Sequence, residues 1–578
     1  MRYVVCLLVL LAPSLARAGT VDYVKPGSEL RYTTEIAPLP ATLLAAQVLG
    51  VADKATGAVT SPVSLLGVSS TSAAKHWRLG LGSTARRGKA PFAADRGKTR
   101  CKCATSLGDT RKQRIAVLRA TRGFSVGSEL GKVKVLALKL RFRDGVVAFI
   151  NGREVARRNL TNGTSGVGLA RRSHGPEWET FYIPVAKGLL RRGRNVLAVE
   201  VRPGKYQLSP RLDVALQATT GPRIVRGPMV QKVGETSAVI VFDTNVPTQG
   251  VVQYGPTARL GLVAKSAGGG LALHHTVTLT GLAKQKPVHY RLVAGGDVSS
   301  SYRFHTAPSA ADPIRFVVYG DVRGGHKVHR KIVRAVLKEA PDFVVVTGDL
   351  VLRGSDEGDW QKFFSVAGKL LANIPYYPIA GNHDTGRTGD EQRRMNEVFA
   401  LWPGPKDRPA WGHWYSFDVA NVHFVMLDSN SYRSAKQLRW LEKDLKAAKA
   451  RGARAVFAAA HDGPYSRGLH RGNRYAAKQY APLLARYGVK ILFSGHDHMY
   501  QRGKVKGLHY IVSGGGGAPL YSVSCGIRGK RRCRRNDGKR KVKKAFHYIT
   551  IQVFAKHVRV CPKRPDGSRL EKCLTYRL

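Results

Sequence analysis

Between Arg315 and His498, five apolar, strand-like runs each stop at a short polar cluster: Asp321-Val322-Arg323, Gly348-Asp349, Gly381-Asn382-His383-Asp384, Ala460-His461 and Gly495-His496-Asp497-His498. Runs such as Arg315 to Tyr319, Phe343 to Thr347, Ala455 to Ala460 and Lys490 to Ser494 alternate with helical patterns such as Val328 to Glu339. That alternation commits this part of the chain to an α/β fold. In such a sheet the reactive side chains collect in the crevice outside the carboxyl ends of the strands. Carboxylate, amide and imidazole groups delivered there together make a metal site.

Asp321 and Asp349 each end a β-rich run, where a carboxylate can terminate or bridge hard metal ions, although one alone is as readily a cap or turn residue. The Asn382 amide oxygen is a neutral ligand, and the adjoining His383 imidazole stays free to hydrogen-bond or transfer a proton. By itself His461 is an ordinary strand-end histidine. His496 and His498 stand two apart on a tight turn, so the pair can face two adjacent ions, and a purely structural reason for that spacing is hard to find.

Upstream the grammar is different. Tyr32 to Gln217 consists of short β-prone runs broken by Gly, Pro and charged turns, as in a β-sandwich. Leu138 to Arg143 alternates cleanly and leads through Asp144-Gly145, a hairpin signal, into Val146 to Ile150, with a second turn at Asn151-Gly152. With Arg194 to Val201, the stretch DGVVAFINGREVARRNL resembles galactose-binding-like jelly-roll modules. That likeness implies a fold more than a ligand, and a spacer role is the plainer alternative to carbohydrate binding. Gly221 to Thr306, with strands such as Ala238 to Asp243 and Gly250 to Tyr254 and the run HHTVTLTGLAKQKPVHYRLV, resembles a fibronectin type III domain.

At 578 residues the chain exceeds a single core. Residues 1–18 read as a secretory signal: Arg2, the short apolar stretch Val4 to Leu11, and the small-x-small site Ala16-Arg17-Ala18. The stretch is too short to span a membrane, so a secreted or periplasmic protein starting at Gly19 is expected. Cys6 leaves with the leader, and Cys101, Cys103, Cys525, Cys533, Cys561 and Cys573 remain, an even number suited to an oxidising compartment. Two disulfides among the last four are expected to pin the Gly- and Lys/Arg-rich tail, with the pairing open. The pair Cys101 and Cys103 is too close in sequence to bridge without strain.

Lys and Arg total 95 against 38 Asp and Glu, a formal net charge of +57. Basic residues crowd Arg86 to Arg114, Arg171 to Arg202 and Arg528 to Lys544. Such a field attracts glycan, anionic cell-surface polymer or phosphorylated substrate. No aromatic residue interleaves the last run, so no stacking platform for nucleic acid is present and specific nucleic-acid recognition is not expected.

Together the five clusters resemble the metallophosphoesterase (calcineurin-like phosphoesterase) superfamily, and within it the purple acid phosphatases. Further support comes from HDGPYSRGLHRG at His461, from SGHDHMYQR and from SGGGGAPLY. The likeness covers roughly Gly221 to Val553. It implies all-β jelly-roll and fibronectin III-like sandwiches followed by an α/β domain built as a β-sandwich flanked by helices. The expected division is 1–18, signal; 19–218, galactose-binding-like; 219–308, fibronectin type III-like; 309–524, catalytic; and 525–578, a basic extension completing the catalytic domain.

By that likeness Asp349 bridges two ions (Fe, Mn or Zn), Asp321 and His498 hold the first, and Asn382, His461 and His496 hold the second. The ions, about 3.5 to 4 Å apart, neutralise phosphate and generate a metal-bound hydroxide for in-line attack. His383, oriented by Asp384, then stabilises the transition state or protonates the leaving oxygen, and His470 faces the substrate. His413 and His423 take no role. Two departures stand out: Leu352 occupies the place of the ferric-binding tyrosine of purple acid phosphatases, so no purple colour is expected, and Arg323 occupies the place where other branches of the superfamily supply a histidine ligand. His326 or His329 could fold back to fill the gap. Arg323 is expected to read the phosphate, with an ion pair to a site carboxylate as the alternative. The implied activity is that of a secreted acid phosphatase acting on phosphate monoesters. Alternatives are a phosphodiesterase or nucleotidase on the same metal core, and a glycan- or polyanion-binding surface protein with a vestigial phosphatase domain.

Overall fold

The computed structural model describes residues 20–25, 29–36, 86–89, 92–95, 105–109, 115–160, 170, 178–202, 204, 211–219, 221–354, 356–385, 395, 398–401, 414–521 and 541–578. The leader, Cys101, Cys103, Cys525, Cys533, His413 and most of the Arg86 to Arg114 and Arg528 to Lys544 runs lie outside them. Two compact units are present, Ala16–Pro222 and Arg223–Leu578. Among the described residues no helix is long and apolar enough to cross a membrane.

The described part of the first unit is built on two six-stranded sheets. Alternate residues of both, among them Leu118, Ala120, Leu136, Leu138, Leu140 and Val199, meet in one buried core, which is how two half-apolar sheets remove their inner faces from water. The expected hairpin at Asp144-Gly145 does not form. Val135–Phe142 pairs with Trp178–Pro184 and Leu212–Thr219 in one sheet, whereas Gly145–Ile150 pairs with Gly193–Arg202 and Arg153–Arg158 in the other. Asp144, buried and at φ +66°, turns the chain from sheet to sheet, and its carboxylate accepts a 2.8 Å hydrogen bond from the Gly204 amide. A two-residue turn signal sets a reversal but not the partner strand. At Asn151-Gly152, with φ of +49° and +82°, the expected tight hairpin does form.

The second unit opens with a three-stranded sheet (Ile224–Gln231, Ala238–Thr248, Ala272–Leu279) facing a five-stranded one. It leans on the following α/β part: Met229, Val239 and Val241 enter the helical core there, and the Tyr290 hydroxyl donates to the Ala372 carbonyl at 2.6 Å.

Two further sheets pack face to face. The first runs in the order β3-β2-β1-β11-β12-β13, with β1 Ile314–Tyr319, β2 Phe343–Val346, β3 Tyr376–Pro378, β11 Tyr548–Val553, β12 His557–Lys563 and β13 Leu574–Arg577. The second is β4-β5-β6-β7-β9-β8-β10, with β4 Tyr415–Val419, β5 Val422–Leu427, β6 Ala455–Ala460, β7 Ile491–Ser494, β8 Tyr500–Val505, β9 Leu508–Ser513 and β10 Lys541–Lys543. Strands β1 to β3, and likewise β5, β6, β7 and β9, pair in parallel, and their run-on apolar sequences are buried on both faces. Between the sheets Phe316 stacks on Phe343 and meets Phe424 and Phe457 edge-on. Outside the first sheet lie α1 His326–Glu339 and α2 Glu357–Leu371, and outside the second α3 Ala435–Ala450 and α4 Ala481–Arg486. Helix α1 turns Ile332, Val333 and Val336 inward and Arg330, Arg334 and Lys338 outward, while α2 begins where the Asp356 carboxylate caps the Asp359 amide at 3.1 Å.

The tail carries more apolar material than its basic character suggests. Strand β11 inserts beside β1, antiparallel, with Tyr548, Ile549, Ile551 and Val553 fully buried. A Cys561–Cys573 disulfide ties β12 to the segment that enters β13.

Candidate metal centre

Asp321, Asp349, Asn382, His461 and the pair His496 and His498 follow β1, β2, β3, β6 and β7 in turn, all at the carboxyl ends. Three of them, Asp321 (φ +58°), Asp349 (+56°) and His496 (+66°), are held in left-handed backbone that non-glycine residues avoid. The chain crosses tightly here: a Cβ at Gly381 would strike the Asp349 carboxylate, and one at Gly495 the Asp321 carboxylate.

The hydrogen bonds fix which atoms face inward. His461 Nδ1 lies 2.7 Å from the Thr347 carbonyl, which can only accept, so Nδ1 carries the proton and Nε2 presents a lone pair. That lone pair meets Asn382 Oδ1 at 3.0 Å, Asp349 Oδ1 at 3.3 Å and His496 Nδ1 at 3.3 Å. Burial holds His496 down to about 3, so it is neutral. Burial also pulls His461 down, but the charges of Asp349 and Asp321 outweigh it and raise its pKa. On the other side His498 Nδ1 donates to the Pro519 carbonyl at 2.7 Å, leaving Nε2 3.4 Å from Asp321 Oδ1. Ligand atoms of Asp321, Asp349 and His498, all buried, lie within 4.8 Å of one another. Carboxylate, amide and imidazole acceptors converging with too few protons to bridge them suit divalent cations.

The remaining expected site residues are placed as follows. Arg323 Nε donates to Asp349 Oδ2 at 2.9 Å, and its Nη2 lies 3.5 Å from His498 Nε2. Asp384 does not orient His383. Its buried carboxylate accepts from the amides of Asp349 (2.8 Å), Gly381 (2.9 Å), Leu350 (2.9 Å) and Val351 (3.2 Å), stapling the Asp349 and Asn382 loops together. Burial and neighbouring Asp349 push Asp384 up to about 7 against the pull of those amides. His383 is oriented instead by the Leu352 carbonyl, 2.8 Å from its Nδ1, while the Leu352 side chain is exposed and contributes nothing. His470, exposed, lays its ring over His496 with centroids 4.0 Å apart. His329 does not fold back: it is fully buried in the α1 core, with Tyr319 and Phe363 as ring neighbours. His423 sits between Asp418 and Asp444, where it supports β5.

Two residues went unremarked as site residues in the sequence. Asp497 accepts from the Ser466 hydroxyl and from the His470 amide at 3.0 Å, anchoring the loop that carries His470. Tyr521 stacks on His498 with centroids 4.0 Å apart and planes 17° apart. Its only signal was its place at the end of the glycine run.

Comparison with known proteins agrees with this geometry. Residues 314–500 match the family model described as calcineurin-like phosphoesterase. Tartrate-resistant acid phosphatase type 5 of Mus musculus is 30% identical over 249 residues, covering 36% of this chain and 74% of that protein. Purple acid phosphatase 21 of Arabidopsis thaliana is 29% identical over 239 residues, covering 40% of this chain and 53% of that one, so the chain spans about half the length of this plant relative. Among solved structures, a purple acid phosphatase from yellow lupin (Lupinus luteus) seeds shares the fold, with a TM-score of 0.54 and 16% identity over 80% of this chain and 93% of that one.

Proposed function

This chain belongs to the calcineurin-like phosphoesterases and is similar within them to the purple acid phosphatases, and on that premise we propose that it is a secreted hydrolase of phosphate monoesters. One observation supports the reading: Asn382 Oδ1, Asp349 Oδ1 and His496 Nδ1 lie 3.0, 3.3 and 3.3 Å from His461 Nε2, a cluster of potential metal donors at one place. The family implies a dinuclear centre, in which Asp349 is the shared ligand, Asn382, His461 and His496 hold one ion, and Asp321 and His498 face the other. Iron, manganese and zinc all suit these donors.

When bound, the ions neutralise the phosphate and activate water. The chain's own residues do the rest. Thr347 and Pro519 set the tautomers of His461 and His498, so that lone pairs and not protons point inward. His383, fixed through Nδ1 by the Leu352 carbonyl, keeps Nε2 for the leaving oxygen, and His470 over His496 borders the substrate.

The test is to purify the protein and assay a phosphomonoester beside a phosphodiester, with manganese, zinc or iron added. Metal-dependent turnover preferring the monoester is expected. Preference for the diester would move the assignment to a phosphodiesterase on the same core, and no turnover on either would overturn the reading. Secretion is checked by N-terminal sequencing of the exported protein, expected to begin at Gly19.

A further inference from the structure

The two halves of the centre differ in what already occupies their ligand atoms. Among the described residues no Lys or Arg side chain is hydrogen-bonded to Asn382, His461 or His496, and their ligand atoms face one another. On the side of Asp321 and His498 the Arg323 guanidinium is already there: Nε is bonded to Asp349 Oδ2 at 2.9 Å, and Nη2 lies 3.5 Å from His498 Nε2, the lone pair a metal would use. The Asp321 oxygens accept the His496 amide at 3.1 Å each.

The arginine is also shielded from outside. Its side chain is only 14% exposed, and Tyr521 covers the neighbouring His498 ring with centroids 4.0 Å apart. A guanidinium is always charged and offers no lone pair, so it can balance a carboxylate but never bind a cation. Its charge beside the bridging carboxylate also opposes a divalent ion entering the same half.

From this we infer that Arg323, paired with Asp349, serves as a built-in cation on the Asp321 side, so that the centre holds one metal ion tightly and a second only as an exchangeable ion. The inference rests on the phosphoesterase reading and deepens it. Arg323 is not a metal ligand: it sets the charge.

The experiment is calorimetric titration of metal-stripped full-length protein with manganese and, separately, zinc, with bound metal counted by mass spectrometry after dialysis. The parent protein is expected to retain about one ion per chain, its second binding step weaker by 100-fold or more. Arg323→His, which removes the fixed charge and supplies a ligand, is expected to retain two ions. Arg323→Met, neutral and of similar length, should strengthen the second step at least tenfold without adding a ligand. Two ions held within tenfold of each other by the parent, with Arg323→Met unchanged, would overturn the inference and leave the phosphatase reading standing. Failure to bind any metal would overturn both.

Discussion

His329 carries a prediction that needs no metal. It lies fully buried on the inner face of α1, with Tyr319 and Phe363 as ring neighbours, and its Nδ1 has no hydrogen-bond partner among the described residues. Burial lowers its pKa to about 3. In the unfolded chain an ordinary histidine titrates near ~6.5. The sign follows: as pH falls below the unfolded value, the unfolded chain takes up a proton that the folded one refuses, and stability drops until the folded pKa is reached. The loss is negligible at pH 7.5, about 1.4 kcal/mol at pH 5.5 and about 2.7 kcal/mol at pH 4.5. His329→Phe places an apolar ring among aromatic neighbours and removes the proton. Urea unfolding at pH 7.5, 5.5 and 4.5 should show variant and parent within about 1 kcal/mol at pH 7.5, with the variant's relative stability rising by about 2 to 3 kcal/mol at pH 4.5. An unchanged gap across that range would mean that His329 takes up its proton in the folded state, and the burial argument would fail.

Three shorter tests address the centre and the tail. Asn382→Ala or His496→Ala removes one inward-facing ligand and should cost bound metal together with at least about 100-fold in turnover, checked by metal content beside phosphomonoester kinetics; normal metal content in both would place the site elsewhere. Asp384→Ala strips the acceptor from four buried amides at about 1 to 3 kcal/mol each, so the melting temperature should fall by several degrees and metal retention with it. Cys561→Ser with Cys573→Ser opens a loop whose ends are 12 apart in sequence and should destabilise by about 3 kcal/mol in the chain-entropy account, read from urea unfolding of both forms.

What could be read from the chain beforehand divides along a physical line. A ligand at the end of an apolar run is legible because the strand ending there fixes both its depth and its direction, which is why Asp321, Asp349, Asn382, His461, His496 and His498 come together although 177 positions separate the first from the last. Roles that depend on partners distant in sequence are not legible in that way. The run Asn382-His383-Asp384 suggests an aspartate orienting its neighbour, yet the same carboxylate can turn back and accept four amides, a choice made by the close passage of the Asp349 loop. Asp144-Gly145 looks like a hairpin because its local reversal is the same whether the next strand pairs with its predecessor or crosses to the facing sheet. Tyr521 is the sharpest case. A tyrosine absent from position 352 marks only a missing ligand, whereas the ring at 521 meets His498 through the fold. Arg323 is therefore the departure that matters most at the centre: a fixed positive charge bonded to Asp349, at a place where a side chain with a lone pair could have bound a metal.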